Sequence, residues 1–248
     1  MKTSTFLPAA CALIATAFAS FGCASRPRVG ESQPETLSSP DPALGIEART
    51  LTIFRGSDGA AVGWDVMIEG ASSADVVVIG ENHGHPLGLA FAQELWSDVL
   101  GRRERAVLSM EFFNRDEQSR LDDYLSGLWD EAAFTRATRR TSDAAYPPGH
   151  RSMVLLAKAR SRPVVASNAP RVYVRAASRE SYERLASLSE EQRRMFRIPD
   201  SLPTGRYRAD YDALMSDPMM ASHGGPARVE SPEELRKRLD SGFRAQSL

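Results

Sequence analysis

The run DVVVIG at residues 75–80 constrains the fold of this chain more than any other feature. Three valines and an isoleucine in a row are typical of a strand that is buried on both faces. Such strands belong to parallel sheets, which occur almost only in α/β proteins with helices over the sheet. We therefore expect residues 75–79 to form a buried parallel strand that ends at Gly80.

The rest of the chain alternates between strand-like and helix-like runs. Strand-length apolar runs occur at residues 106–110 and 163–167, and a shorter one at residues 50–54 precedes the turn signal GSDG. Apolar residues at helical spacing lie between these runs, and charged helical patterns dominate after residue 171. This order predicts an α/β fold with a mostly parallel sheet, helices on both faces and a helical C-terminal part. The predicted helices cover residues 87–100, 131–140, 153–159, 179–188, 189–197 and a last segment that opens at Ser231 with a capping pattern.

The first residues have the pattern of an export signal. Lys2 supplies a positive start, residues 6–21 form an apolar stretch that is short for a membrane span, and small residues precede Cys23. This arrangement resembles the bacterial lipobox, in which the cysteine is lipidated. We expect a signal peptide at residues 1–23, a disordered tether rich in Ser, Pro and Glu at 24–48, and a domain at 49–248. The protein would then be a membrane-anchored lipoprotein of the bacterial cell envelope, with plain secretion or an uncleaved anchor as the alternatives.

Charge and cysteine usage exclude several classes of function. The formal net charge is −1, which gives no electrostatic reason to expect a nucleic acid as partner. The two cysteines are Cys11 and Cys23, both in the predicted signal peptide. The mature domain therefore has no disulfide framework, no cysteine metal site and no cysteine redox chemistry.

Polar side chains follow three of the predicted strands: Glu81 with His83, Glu111, and Asn168. The carboxyl ends of neighbouring parallel strands lie side by side, so we expect these groups to gather around one cavity that could hold haem, a metal ion or an acid/base pair. His85 is a further candidate because only four histidines occur in the chain. Simpler roles remain open: His83 could cap a helix, His85 could face solvent, and Glu81 or Asn168 could close a turn.

Three more polar residues fall near the same predicted end of the sheet. Tyr146, His150 and Arg171 lie in predicted loops. From the pattern alone we interpret each of them as structural.

Four short motifs, in order, resemble the ChaN haem-binding lipoproteins of the wider Tiki and erythromycin-esterase-like superfamily. They are GENH at 80–83, MEFF at 110–113, YP at 146–147 and ASNAPR at 166–171. The resemblance covers residues 51–171 well and the remainder loosely. It implies an exported lipoprotein that binds haem for iron uptake and can hold it between paired subunits, with a tyrosine and a histidine near the iron.

Carried onto this sequence, the resemblance assigns the histidine to His83 and the tyrosine to Tyr146. It also implies haem as cofactor, a lipid anchor at Cys23 and a homodimer. Family chains continue after a segment like FRAQ at 243–246 into a further helix and a late strand with a second histidine motif. We therefore expect this sequence to be cut short at its C-terminus, with part of the site absent.

Three functions are compatible with these residues. The leading hypothesis is a haem-binding protein without turnover. A second is a metal-dependent hydrolase similar to the Tiki peptidases, in which Glu111 and paired histidines hold a divalent ion that polarises water. A third is a metal-free esterase-like hydrolase, with His83 as general base oriented by Glu111 or Glu81.

Overall fold

The computed structural model describes residues 47–217 and 230–248. The predicted signal peptide with Cys23, and the predicted tether up to residue 46, lie outside the described residues. His223 and most of the loop-like stretch before Ser231 lie outside them too.

The described chain alternates strands and helices. Short 3₁₀ turns at Ala48–Thr50 and Arg115–Glu117 precede β1 and α3 respectively. The elements are β1 (Ile53–Phe54), β2 (Ala61–Val62), α1 (Trp64–Ser73), α2 (Pro86–Arg102), β3 (Leu108–Asn114), α3 (Gln118–Leu125), α4 (Glu131–Ala137), α5 (Pro148–Ala159), β4 (Val164–Asn168), α6 (Arg171–Arg179), α7 (Tyr182–Ala186), α8 (Glu190–Arg193), α9 (Arg206–Ser216) and α10 (Pro232–Gln246).

The main sheet confirms the predicted α/β class. β3 and β4 pair in parallel, with Leu108 opposite Val164 and Met110 opposite Ala166, and β1 and β2 form a separate antiparallel pair. The register then shifts, so that Asn114 lies opposite Asn168. Such an irregularity bends the strand locally and changes where the side chains near its end point.

The prediction of a buried strand at residues 75–79 is wrong for this structure. Residues 74–82 have no strand partner, and Val76 and Val78 are strongly exposed. The physical reason is a missing cover. Ser109 and Glu111 on the outer face of β3 and Val165 on the outer face of β4 are exposed, so pairing alone would bury only one side of this run.

The core lies on the other face of the β3–β4 sheet. Helices α2 to α5 cover that face and supply most of its apolar side chains. Each large apolar side chain buried there stabilises the fold by about 1.5–3 kcal/mol. The buried members are Ala92, Trp96, Leu100, Met110, Phe113, Leu121, Tyr124, Phe134, Tyr146, Met153, Val154, Ala157, Val164 and Ala166.

Helices α2 and α5 pack closely at their N-terminal ends. A Cβ atom on Gly149 would lie 2.7 Å from Cβ of Leu89, so only glycine permits this approach. Farther along, the indole Nε1 of Trp96 donates to the backbone carbonyl of Met153 at 3.1 Å. These contacts bring the first turn of α5 next to the start of α2.

The C-terminal part is helical, as predicted. A second apolar cluster contains Ala169, Ala177, Leu185 and Phe196. The predicted helix over 179–188 is split, because Ser181 has a φ of 113° between α6 and α7. α10 opens with the predicted capping box at Ser231. Across the described residues no helix combines the length and apolarity needed to cross a membrane.

Candidate functional site

A tight turn after Glu81 presents His83 to solvent. The backbone N–H of His85 donates to the carbonyl of Asn82 at 2.9 Å, and Gly84 has a φ of 71°. A positive φ at the third position is the mark of a type II turn, where glycine is favoured. Pro86 then begins α2, a position that needs no backbone N–H. The side chain of His83 is 85% exposed as a result.

Glu81 accepts hydrogen bonds from two histidines through its two carboxylate oxygens. Nε2 of His150 lies 2.8 Å from Oε2, and Nδ1 of His83 lies 3.4 Å from Oε1. An ionised carboxylate has no proton to give, so both imidazoles are the donors. We call these three residues the His–Glu–His group.

The hydrogen bonds select the tautomer of each ring. His150 carries its proton on Nε2, and its Nδ1 is buried without a partner. A bare ring nitrogen there costs less than a buried N–H that donates to nothing. His83 carries its proton on Nδ1, which leaves the Nε2 lone pair free on an exposed ring.

Both histidines favour the ionised form of Glu81. Partial burial raises the pKa of Glu81, but the hydrogen bonds and charges of His150 and His83 lower it by more in sum. The net direction is down from the ordinary value of 4.5. Glu81 is therefore a carboxylate at neutral pH and remains a hydrogen-bond acceptor for both rings.

An aromatic cluster holds His150 in place. The rings of His150 and Phe112 are 4.4 Å apart between centroids, and Phe112 stacks on Tyr146 at 5.7 Å. Arg140 fixes the same part of β3: it donates to the carbonyl of Phe112 at 3.2 Å and forms a nearly buried ion pair with Glu117. The imidazole of His150 therefore has little freedom to leave Glu81.

Tyr146 faces the core in this structure. Its hydroxyl is buried and has no hydrogen-bond partner among the described residues. Burial raises the pKa of Tyr146 well above its ordinary value. A buried phenol of this kind resists conversion to tyrosinate.

Three other predicted site residues stay apart from the His–Glu–His group. Glu111 is exposed and forms no hydrogen bond or ion pair with a described residue; it alternates with Met110 and Phe112, which pack on the core side. Asn168 is half-buried at the end of β4. His85 is the exposed N-cap of α2, and its side chain makes no cap hydrogen bond. The convergence expected for three strand ends is limited to Glu81 and His83.

His150 is the site residue that the sequence pattern did not identify. It lies in the first turn of α5, after the sequence YPPG, and not in a loop. A proline pair followed by Gly-His does predict a helix start, which was the available signal. Nothing in the sequence places that helix start beside Glu81, which is 69 positions away.

The chemistry available to this group is that of an open imidazole backed by a carboxylate. The free Nε2 of His83 can bind a metal centre presented from outside, and Glu81 holds the ring in the binding tautomer. Within residues 47–217 and 230–248, no three His, Cys, Asp or Glu side chains are grouped closely enough to hold a metal ion by themselves.

The family comparison extends over most of the chain. The family model described as haem-binding uptake, Tiki superfamily, ChaN matches residues 67–248. Neither a curated protein nor a solved structure matches the chain significantly. The matched region contains the whole His–Glu–His group. The chain therefore belongs to the ChaN family of haem-binding uptake proteins in the Tiki superfamily.

Proposed function

We propose that this protein binds ferric haem and that Nε2 of His83 is the iron ligand. The observation that carries this proposal is the exposed His83 ring, whose Nδ1 donates to Glu81 and whose Nε2 is free. Imidazole is a common axial ligand of haem iron, and a carboxylate behind it makes the ring more basic. Family membership supports the same cofactor.

The residues present fit such a group in the chemistry of their donors. When bound, haem supplies a ferric centre that accepts a nitrogen lone pair. Glu81 fixes the ring tautomer, and His150 fixes Glu81 through the 2.8 Å hydrogen bond. Tyr146 is not part of the proposed ligand set, because its hydroxyl is buried and its pKa is raised.

A second copy of the chain is part of the proposal. His83 projects from a turn with 85% of its side chain exposed, so one protomer offers little surface to cover a flat apolar ring. A second protomer that presents the same turn would cover the other side and could supply a second imidazole. A two-fold dimer of this kind uses one surface patch twice. Haem-dependent dimerisation, read by analytical ultracentrifugation with and without one haem per two chains, tests this part.

Export and anchoring complete the proposal. Lys2, the apolar stretch at 6–21 and Cys23 support secretion with lipidation at Cys23, which would hold the domain at the bacterial cell envelope. The uptake role named for the family supports a function in haem and iron acquisition. Accumulation of an unprocessed precursor in cells treated with globomycin tests lipidation, and normal processing under the drug contradicts it.

A haem titration of the full chain tests the main claim. Ferric haem added to the wild-type protein should shift the Soret band and saturate. His83→Ala should weaken binding by about tenfold or more, because the iron ligand is lost. His85→Ala is the matched control, since His85 is an exposed histidine two positions away without a contact to Glu81. Equal affinity of the wild type and His83→Ala would contradict the proposal.

A further inference from the structure

Segment 75–79 has the side-chain alternation of a strand although it is not in a sheet. Val77 and Ile79 are 44% and 41% exposed, whereas Val76 and Val78 are 77% and 88% exposed. A period of two is the geometry of an extended chain with one face against a neighbour. The face that carries Val77 and Ile79 is therefore the inner one.

The backbone of this segment has unused hydrogen-bonding capacity. No backbone hydrogen bond joins residues 75–81 to any other described residue. β3 has the same deficit, because it pairs with β4 along one edge and no described strand pairs with its other edge. Unpaired strand edges next to apolar surface favour the addition of a strand.

A cavity of about 780 Å³ separates segment 75–79 from β3. Val77 and Ile79 line one side of it, and Leu108 and Ser109 of β3 line the opposite side. Side chains of α2, including Leu95, Trp96 and Val99, also line it, whereas Val78 does not. The inner face of the segment thus looks across an apolar space at the unpaired edge of β3.

Both ends of the segment are already held. On one side, the N–H of Ala74 donates to the carbonyl of Gly70 and ends α1. On the other side, Glu81 is bound to His150. Movement of the residues between these two anchors requires no unfolding of a helix, and the loop-closure entropy of so short a segment is small.

We propose that residues 76–79 dock on the free edge of β3 as a third parallel strand and fill this cavity. In the docked state Val77 and Ile79 join the core side of the sheet, beside Leu108 and Met110. Val76 and Val78 join the outer face, near Val165. The segment is the occupant, and a foreign apolar ligand is not, because only a peptide backbone can satisfy the edge of β3 and the segment together.

The docked strand also stiffens the His–Glu–His group, because Glu81 follows Ile79 by two residues. The segment is thus a strap that closes over the core immediately before the candidate site. This inference goes beyond haem binding and does not depend on it.

Site-resolved amide hydrogen exchange on the haem-free full chain tests docking. Alternate amides within residues 76–80 should exchange about tenfold or more slowly than the same residues in an unstructured chain, because every second N–H of a paired strand points to its neighbour. Exchange of all these amides at unstructured rates overturns the proposal. Since no haem is present, that result leaves the proposed function untouched, and a failed haem titration leaves docking untouched.

Two lysine substitutions in the same segment provide a matched pair. Val77→Lys puts a charge on the inner face and should abolish the protection, whereas Val78→Lys puts it on the outer face and should preserve it. Val77 is already partly exposed, so the remaining fold should tolerate the change, which far-UV circular dichroism checks. Equal protection in both variants contradicts the assigned faces.

Discussion

Nε2 of His150 donates to Glu81 across 2.8 Å, although 69 positions separate the two residues in the chain. The contact exists because α2 and α5 pack closely where Gly149 meets Leu89. Glu81 in turn accepts from Nδ1 of His83. The site is thus assembled by the packing of two helix starts and not by three strand ends meeting at a sheet edge.

Removal of the His150 side chain should destabilise the protein. His150→Leu fills the space but leaves Glu81 without its closest donor, which should lower the free energy of unfolding by about 1–3 kcal/mol. His150→Gln keeps an N–H donor on a side chain that can reach toward Glu81 and should recover part of the loss. Urea denaturation measures both variants, and a wild-type stability for His150→Leu would show that the hydrogen bond is not stabilising.

The stabilisation by Glu81 should depend on pH in one direction. The pKa of Glu81 is lowered in the fold, so the unfolded state binds its proton at a higher pH than the folded state does. The contribution is complete well above the ordinary value of 4.5 and is lost as the pH falls through the lowered value. The difference in unfolding free energy between wild type and Glu81→Gln should therefore shrink below about pH 4.5. A difference that grows on acidification would contradict the assigned direction.

Gly149→Ala should disturb both the packing and the site. The added Cβ would lie 2.7 Å from Cβ of Leu89, and overpacking of this kind costs about 1–3 kcal/mol. The helices would separate, which should also weaken the contact of His150 with Glu81. Gly70→Ala is the control, because a Cβ there meets nothing within 4 Å and alanine favours the helix by up to about 1 kcal/mol. Thermal unfolding should lower the Tm of the first variant only.

Tyr146→Phe should leave haem binding and stability essentially unchanged. The hydroxyl of Tyr146 is buried without a partner, so its removal takes away no hydrogen bond. Tyr182→Phe is the contrasting case, because that hydroxyl donates to the carbonyl of Arg244 at 2.8 Å and its loss should cost about 0.5–1.5 kcal/mol. A large fall in haem affinity in Tyr146→Phe would restore Tyr146 as a ligand and would require it to leave the core.

Local signals in the sequence predicted many of the elements. The apolar spacing after Pro86 corresponds to α2, the runs at 106–110 and 163–167 correspond to β3 and β4, and the capping pattern at Ser231 opens α10. These features depend on residues within a few positions of one another. For that reason they can be recognised without knowledge of the tertiary structure.

The failures have a common physical origin in long-range contacts. Residues 75–79 have the composition of a buried strand, yet a strand forms only if a neighbour and two covering layers are in place. His150 was interpreted as structural, because only the packing of α5 against α2 brings it to Glu81. Glu111 was expected at the site, but strand alternation turns it away from the face on which His150 packs.

Ligand replacement at the iron tests the central claim most directly. Electron paramagnetic resonance of the ferric haem complex should show nitrogen ligation in the wild type, loss of that signal in His83→Ala, and its return when free imidazole is added to the variant. An unchanged spectrum in His83→Ala, with haem still bound, would contradict the assignment of His83 as the iron ligand.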